Sequence, residues 1–185
     1  MIVISEDALK RVSEILSAVP NGANEAYRKA LNAGIRTART KASQAIRKTY
    51  AIDSAGLRTN TTITLKYASG YNSEASIRYS GNKIPLYRFN VSPKMAPSKS
   101  IVSAGVLRSS GRTPFHDAFI QRMKSGHVGM LERDTDKRLP ISELMAVSVA
   151  QMAERAEVLE ETQQAAQEKV NTTLEQEISR ILNKY

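Results

Sequence analysis

Near the start of the chain, Leu9, Val12, Ile15, Leu16 and Val19 recur at a spacing that predicts an amphipathic helix. Ser5 stands at the N-cap position of that helix, with Glu6 and Asp7 suited to its positive end. Pro20-Asn21-Gly22 breaks the pattern, and Asn21 or Asn24 is placed to cap a second helix over residues 23–49. At about 100° per residue, Tyr27, Leu31, Ile35, Ala38, Ala42, Ala45 and Ile46 share one face of it.

The period then shortens to two. Thr61, Ile63, Leu65 and Tyr67 alternate with polar neighbours in a half-buried strand, and Ser69-Gly70-Tyr71-Asn72 turns the chain. Ala75, Ile77 and Tyr79 repeat the alternation before a turn at Ser80-Gly81-Asn82. Residues 84–89 are apolar around Pro85, which suits an edge strand. Residues 92–99, with two Pro and two Lys, are loop chemistry. Residues 100–107 predict another strand, followed by a basic turn over 108–112. Phe119-Ile120 and residues 128–131 predict short strands on either side of Lys124-Ser125-Gly126, and Leu139-Pro140-Ile141 is expected to lead back into helix. Val158, Leu159, Ala166, Val170, Leu174, Ile178, Ile181 and Leu182 form an apolar stripe broken near Gln163-Gln164. The predicted class is α+β: N-terminal helices, a central largely antiparallel sheet or small barrel-like sheet, and a long C-terminal helix. The segments are 1–52 (helical), 53–141 (β-rich, one domain with the preceding helices) and 142–185 (helical).

Composition narrows the function. Only 5% of the 185 residues are aromatic and none is Trp, so the core is modest and subunit association is expected to complete burial. With no Cys, disulfides, thiolate catalysis and thiolate metal sites are excluded. The first residues lack a signal-peptide pattern, and no stretch nears the ~20 apolar residues of a membrane span. A soluble protein, or part of a soluble assembly, is expected, with no membrane partner. The net charge is +9, unevenly placed: residues 1–140 carry 23 Lys and Arg against 10 Asp and Glu, while residues 141–185 carry 4 against 8. That asymmetry points to polyanion contact or to complementary charge between neighbouring subunits.

The second helix concentrates the cations. Arg28, Lys29, Arg36, Arg39 and Arg47 fall on a stripe beside the apolar face, offset only by Glu25. Lys41 and Lys48 lie apart from it, Lys48 being counted with the contact candidates. One reading is a solvated face; the other is a rail of cations that meets phosphate or an acidic partner. Catalytic signals are weak. His116 and Asp117 are adjacent, so their side chains diverge in a strand, and His127 sits alone between Gly126 and Val128. Glu132, Asp134 and Asp136 alternate with Arg133, Lys137 and Arg138, which reads as a surface turn. Gly126-His127-Val128-Gly129 lacks the Lys and Ser/Thr of a phosphate loop, and no Ser stands in a nucleophile elbow. No catalytic residue, metal or cofactor is expected.

The run Ala118-Phe119-Ile120-Gln121-Arg122-Met123-Lys124-Ser125-Gly126-His127-Val128-Gly129-Met130-Leu131-Glu132-Arg133, continued through a basic turn to Leu139-Pro140-Ile141, resembles the phage minor tail protein Z family. Ile84-Pro85-Leu86, Phe89-Asn90-Val91-Ser92-Pro93-Lys94 and the Ala- and Arg-rich helix ending near Tyr50-Ala51-Ile52 carry the likeness upstream, in the family's order. Asp117 stands where members often have Gly. The resemblance implies a non-enzymatic tail completion protein of long-tailed phages or prophages. Its place is the head-proximal end of the virion tail, after assembly in the host cytoplasm. Implied partners are tail terminator, tail tube or connector proteins, with the phage DNA end as the other candidate and a sixfold homo-oligomer expected. Phe119, Met123, Gly126, His127, Gly129, Glu132, Arg133, Leu139 and Pro140 are expected to serve scaffold and subunit interface. The alternative is a sequence-independent nucleic-acid-binding module, which calls for aromatic stacking; most of the Tyr and Phe residues sit instead at strand-core spacing.

Overall fold

On the inner face of the second helix Ala26, Ala30, Gly34, Ala38, Ala42 and Ala45 are small and buried, which lets neighbouring elements approach its backbone. The computed structural model describes residues 6–69, 74–98 and 100–184. The Ser5 cap, the turn residues Gly70, Tyr71 and Asn72, and Lys99 lie outside the described residues, as do the side chains of Glu6, Asp7 and Leu9. Helix α1 spans Glu6–Ile15 and α2 spans Gly22–Thr49. Asn21, at φ 59°, turns the chain, and its carbonyl accepts from Glu25 N (3.0 Å) to start α2. A short α3, Ser54–Thr59, is capped by Asp53, whose Oδ1 accepts from Gly56 N (2.5 Å).

Ten strands follow in chain order. They are β1 (Thr62–Lys66), β2 (Ser76–Ser80), β3 (Lys83–Pro85), β4 (Asn90–Ser92), β5 (Val102–Gly105), β6 (Thr113–Phe115), β7 (Ala118–Arg122), β8 (Val128–Arg133), β9 (Ile141–Glu143) and β10 (Met145–Ser148). A 3-10 turn, Leu86–Arg88, separates β3 from β4. Among the described residues the strands form four small sheets, β1-β2, β10-β3, β4-β5-β6 and β7-β8-β9, and no closed barrel. The α+β class and the antiparallel character are therefore as the sequence predicts. Helices α4 (Val149–Glu154) and α5 (Ala156–Leu182) complete the order.

One expectation is overturned. Residues after Pro140 do not return to helix: 141–148 form β9 and β10. Ile141, Glu143 and the residues beyond find open strand edges, with Arg133↔Ile141 and Leu131↔Glu143 on β8 and Met145↔Pro85 on β3. Leu144 bridges them, donating to Met130 O (2.9 Å) and accepting from Leu86 N (2.8 Å). Helix resumes only at Ser148, whose hydroxyl accepts from Gln151 N (3.3 Å) while Gln151 Oε1 accepts from Ser148 N (3.0 Å), a reciprocal capping box. Strand β6, paired through Ser103↔Pro114, forms after the predicted basic turn.

The chain divides into two compact units. Unit 1 comprises Met1–Ala45, Ile63–Arg78 and Ala156–Tyr185; unit 2 comprises Ile46–Thr62 and Tyr79–Arg155. Unit 1 packs α1, α2 and α5 through Val12, Leu16, Ala26, Tyr27, Ala30, Leu31, Val170, Leu174 and Ile181, with Ala68. Gly34 lies against Val170 Cγ2 and Ala166 O, so α2 and α5 meet there with no intervening side chain. Glu25 and Lys29 face Arg180 and Glu177, so the two helices run antiparallel. In unit 2, Phe89, Ile52, Ile84, Ile120, Met130 and Met152 are among the largest fully buried side chains.

Candidate polyanion and assembly surfaces

In unit 1 the apolar residues of α2 are buried as their spacing predicts, from Tyr27 and Leu31 through Ala38 to Ala45. This leaves Arg28, Arg36 and Arg39 exposed. Arg28 and Arg39 have no acidic partner among the described residues. Arg36 lies over the Tyr67 ring, 5.5 Å from its centroid, which keeps the guanidinium extended at the surface.

Lys29 differs from its neighbours. Its Nζ sits 2.7 Å from Glu25 Oε1 and 3.1 Å from Glu177 Oε2, and Arg180 reaches the same two carboxylates at 2.9 and 2.8 Å. Hydrogen bonding and charge from Lys29 hold the Glu25 carboxyl below its ordinary value, with Arg180 adding to them. Burial pushes Glu177 up, but hydrogen bonds from Arg180 and Lys29 outweigh it and leave that carboxyl lowered too. Hydrogen bonding to Glu25 raises Lys29 in return. Lys29 thus ties α2 to α5.

Both carboxyls lie lower in the folded than in the unfolded chain. Their stabilisation is therefore present above the ordinary value of 4.5 and is lost as pH falls through the folded values. Replacing Lys29 with Met is expected to flatten the acid limb of the stability curve. At neutral pH it removes about 0.3–0.5 kcal/mol for the exposed Lys29–Glu25 pair. Urea midpoints measured between about pH 3 and about pH 7 test this; an unchanged acid limb contradicts it.

Arg47 and Lys48 lie in the last turn of α2, within unit 2, and both are exposed. The Arg47 carbonyl accepts from Arg108 Nε (2.7 Å), and Arg108 N donates to Thr49 O (3.0 Å), so a cation closes the negative end of the helix. Beside it a cleft of about 360 Å³ is lined by Arg88, Lys94 and Arg108, with Ile52 and Phe89 as apolar wall. Asp53 offsets one of these charges, with its Oδ1 held by Gly56 N. The arrangement can seat a small anion. The sequence places Arg88 in an edge strand, Lys94 in a loop and Arg108 in a basic turn, and only the fold brings residues 88, 94 and 108 together.

The run from residue 118 onward forms the β7-β8 hairpin, with Ala118↔Glu132 through Arg122↔Val128 in register. Its turn closes with Met123 N donating to His127 O (2.7 Å) and Gly126 N donating to Met123 O (2.9 Å), and Gly126 adopts φ 85°. Among the described residues, no group of three or more His, Cys, Asp or Glu could hold a metal ion. No described helix is long and apolar enough to cross a membrane.

The family described as Prophage minor tail protein Z (GPZ) matches residues 6–185. The chain belongs to that family. It is a minor structural protein of a phage or prophage tail, and its place is in the tail of the virion. No curated protein and no solved structure matches the chain.

Within this minor tail protein Z chain, the hairpin residues have structural partners. Phe119 carries the Arg133 guanidinium 4.9 Å from its ring centroid, a diagonal pair across β7 and β8. His127 Nε2 donates to Glu143 Oε1 (2.8 Å) above Gly129, which is buried in β8. Glu132 is half-buried. Met123, Leu139 and Pro140 are exposed, Leu139 by 64%. His116 and Asp117 are exposed between β6 and β7.

Proposed function

We propose that this tail protein completes the head-proximal end of the tail, near the tail terminator and connector, as one copy of a sixfold ring close to the DNA passage. The basic side of α2 carries the reading: Arg28 and Arg39 stand in solvent, and Arg36 is held outward on Tyr67. Like charges three or four residues apart on a helix repel by a few tenths of a kcal/mol, and an anionic partner relieves that repulsion. In a protein that builds tails, the face serves assembly against a polyanion, either the DNA end or an acidic surface of a neighbouring tail protein. The β7-β8 hairpin, including Met123 and Leu139, serves as scaffold and subunit contact.

Electron cryomicroscopy of intact tails tests the position. The expected result is a ring at the head-proximal end; copies at the distal tip or along the tube overturn the reading. Replacing Arg36 and Arg39 with Gln keeps helix propensity and removes two charges. The expected outcome is a drop of about tenfold or more in completed, infectious particles, with the circular dichroism of the protein unchanged. An unchanged particle yield reduces the face to solvation.

A further inference from the structure

Helix α5 carries an acidic ridge on the side turned away from α2. Ala166, Val170 and Glu177 meet α2, and Glu168 and Glu175 lie about 180° round the helix from them. Glu161 continues the ridge one heptad earlier and Leu182, 46% exposed, continues it one heptad later. Lys169 projects about 100° away from Glu168, and Arg180 is engaged with Glu25 and Glu177. Glu168 and Glu175 are both exposed. Unit 1 therefore bears a basic ridge on α2 and an acidic ridge on the outer side of α5.

The two ridges match in scale. Arg28 and Arg36 are about 12 Å apart along α2, and Glu168 and Glu175 about 10.5 Å apart along α5. They cannot satisfy each other within one unit, because the face of α5 that meets α2 is the one opposite its acids. Complementary patches that point in different directions on one molecule generate head-to-tail association, which closes into a ring when the rotation allows. Leu182 on one ridge and Tyr67, 43% exposed beside Arg36, on the other supply apolar contact.

We infer that the polyanion met by Arg28, Arg36 and Arg39 is the Glu168–Glu175 ridge of a second copy of this chain. The inference rests on the ring reading above and names the partner of its basic face. DNA on the same face is the competing outcome.

The test uses two full-length variants studied by sedimentation velocity. One carries Arg36→Glu with Arg39→Glu; the other carries Glu168→Arg with Glu175→Arg. Self-association of the natural protein weakens with added salt, and each variant alone associates at least about tenfold more weakly. An equimolar mixture restores association, because each reversed ridge then finds its complement on the other variant. The inference is overturned if two folded variants stay apart when mixed. It is also overturned if the α5 variant associates like the natural protein while the α2 variant loses only duplex DNA binding. A head-proximal ring whose copies touch elsewhere overturns this interface and leaves the tail-completion reading standing.

Discussion

Replacing Gly105 with Ala is expected to lower the stability of unit 2 by about 3 kcal/mol, seen as a fall of about 10 °C or more in its melting temperature. Gly105 ends the central strand of β4-β5-β6, paired with Asn90. A Cβ at this position would overlap the carbonyl oxygen of Gly111 and come within 2.9 Å of its carbon. The obstacle is backbone, so no rotamer change relieves it. The turn from Val106 to Arg112 must move, and with it the Tyr50↔Leu107 bridge and the Arg108 bond to Thr49 O. Gly111→Ala is the control: its φ of 67° strains Ala, but nothing lies within 4 Å of the new Cβ. That variant should lose only about 1 kcal/mol. A Gly105→Ala protein that melts with the natural one contradicts the packing account.

Gly34→Leu is expected to be of similar size, about 3 kcal/mol, and acts on unit 1. On an isolated helix, replacing Gly with Ala gains about 1 kcal/mol. Here the sign reverses, because a Cβ at residue 34 would overlap Val170 Cγ2 and lie 3.3 Å from Ala166 O. Gly34→Ala should therefore destabilise, and Gly34→Leu should force α5 off its seat. Adding Val170→Ala to Gly34→Ala should cost less than the two single changes together, since each removes the other's obstacle. Strict additivity in chemical denaturation, or a stabilised Gly34→Ala, counts against a close helix crossing.

Periodicity made the fold's helices legible. The α2 stripe from Tyr27 to Ile46 is buried, and α5 buries Val158, Ala166, Val170, Leu174 and Ile181 in the predicted stripe while leaving Leu159 and Leu182 exposed. Strands β9 and β10 were illegible because eight residues of weak alternation become strand only when β8 and β3 offer edges. The Ser148-x-x-Gln151 signature was the local clue that helix starts later. The helical period places Gly34 on the apolar face with Tyr27 and Leu31, but nothing local says that Val170, 136 positions away, is the side chain that closes on it. At the candidate surface, Arg28, Arg36 and Arg39 stood out by spacing. That Lys29 is occupied by Glu177, 148 positions away, was beyond any local pattern. The grouping of Arg88, Lys94 and Arg108 was likewise set by chain crossings.

The three-part composition of unit 1 also constrains when the protein can act. Residues 22–45 expose a row of Ala, Leu and Ile until residues 156–182 exist to cover it, so during translation this unit stays open until α5 has left the ribosome. The basic ridge and the acidic ridge are then completed together, in the same closing step. A chain truncated before α5 lacks Glu168 and Glu175 and leaves the apolar face of α2 uncovered.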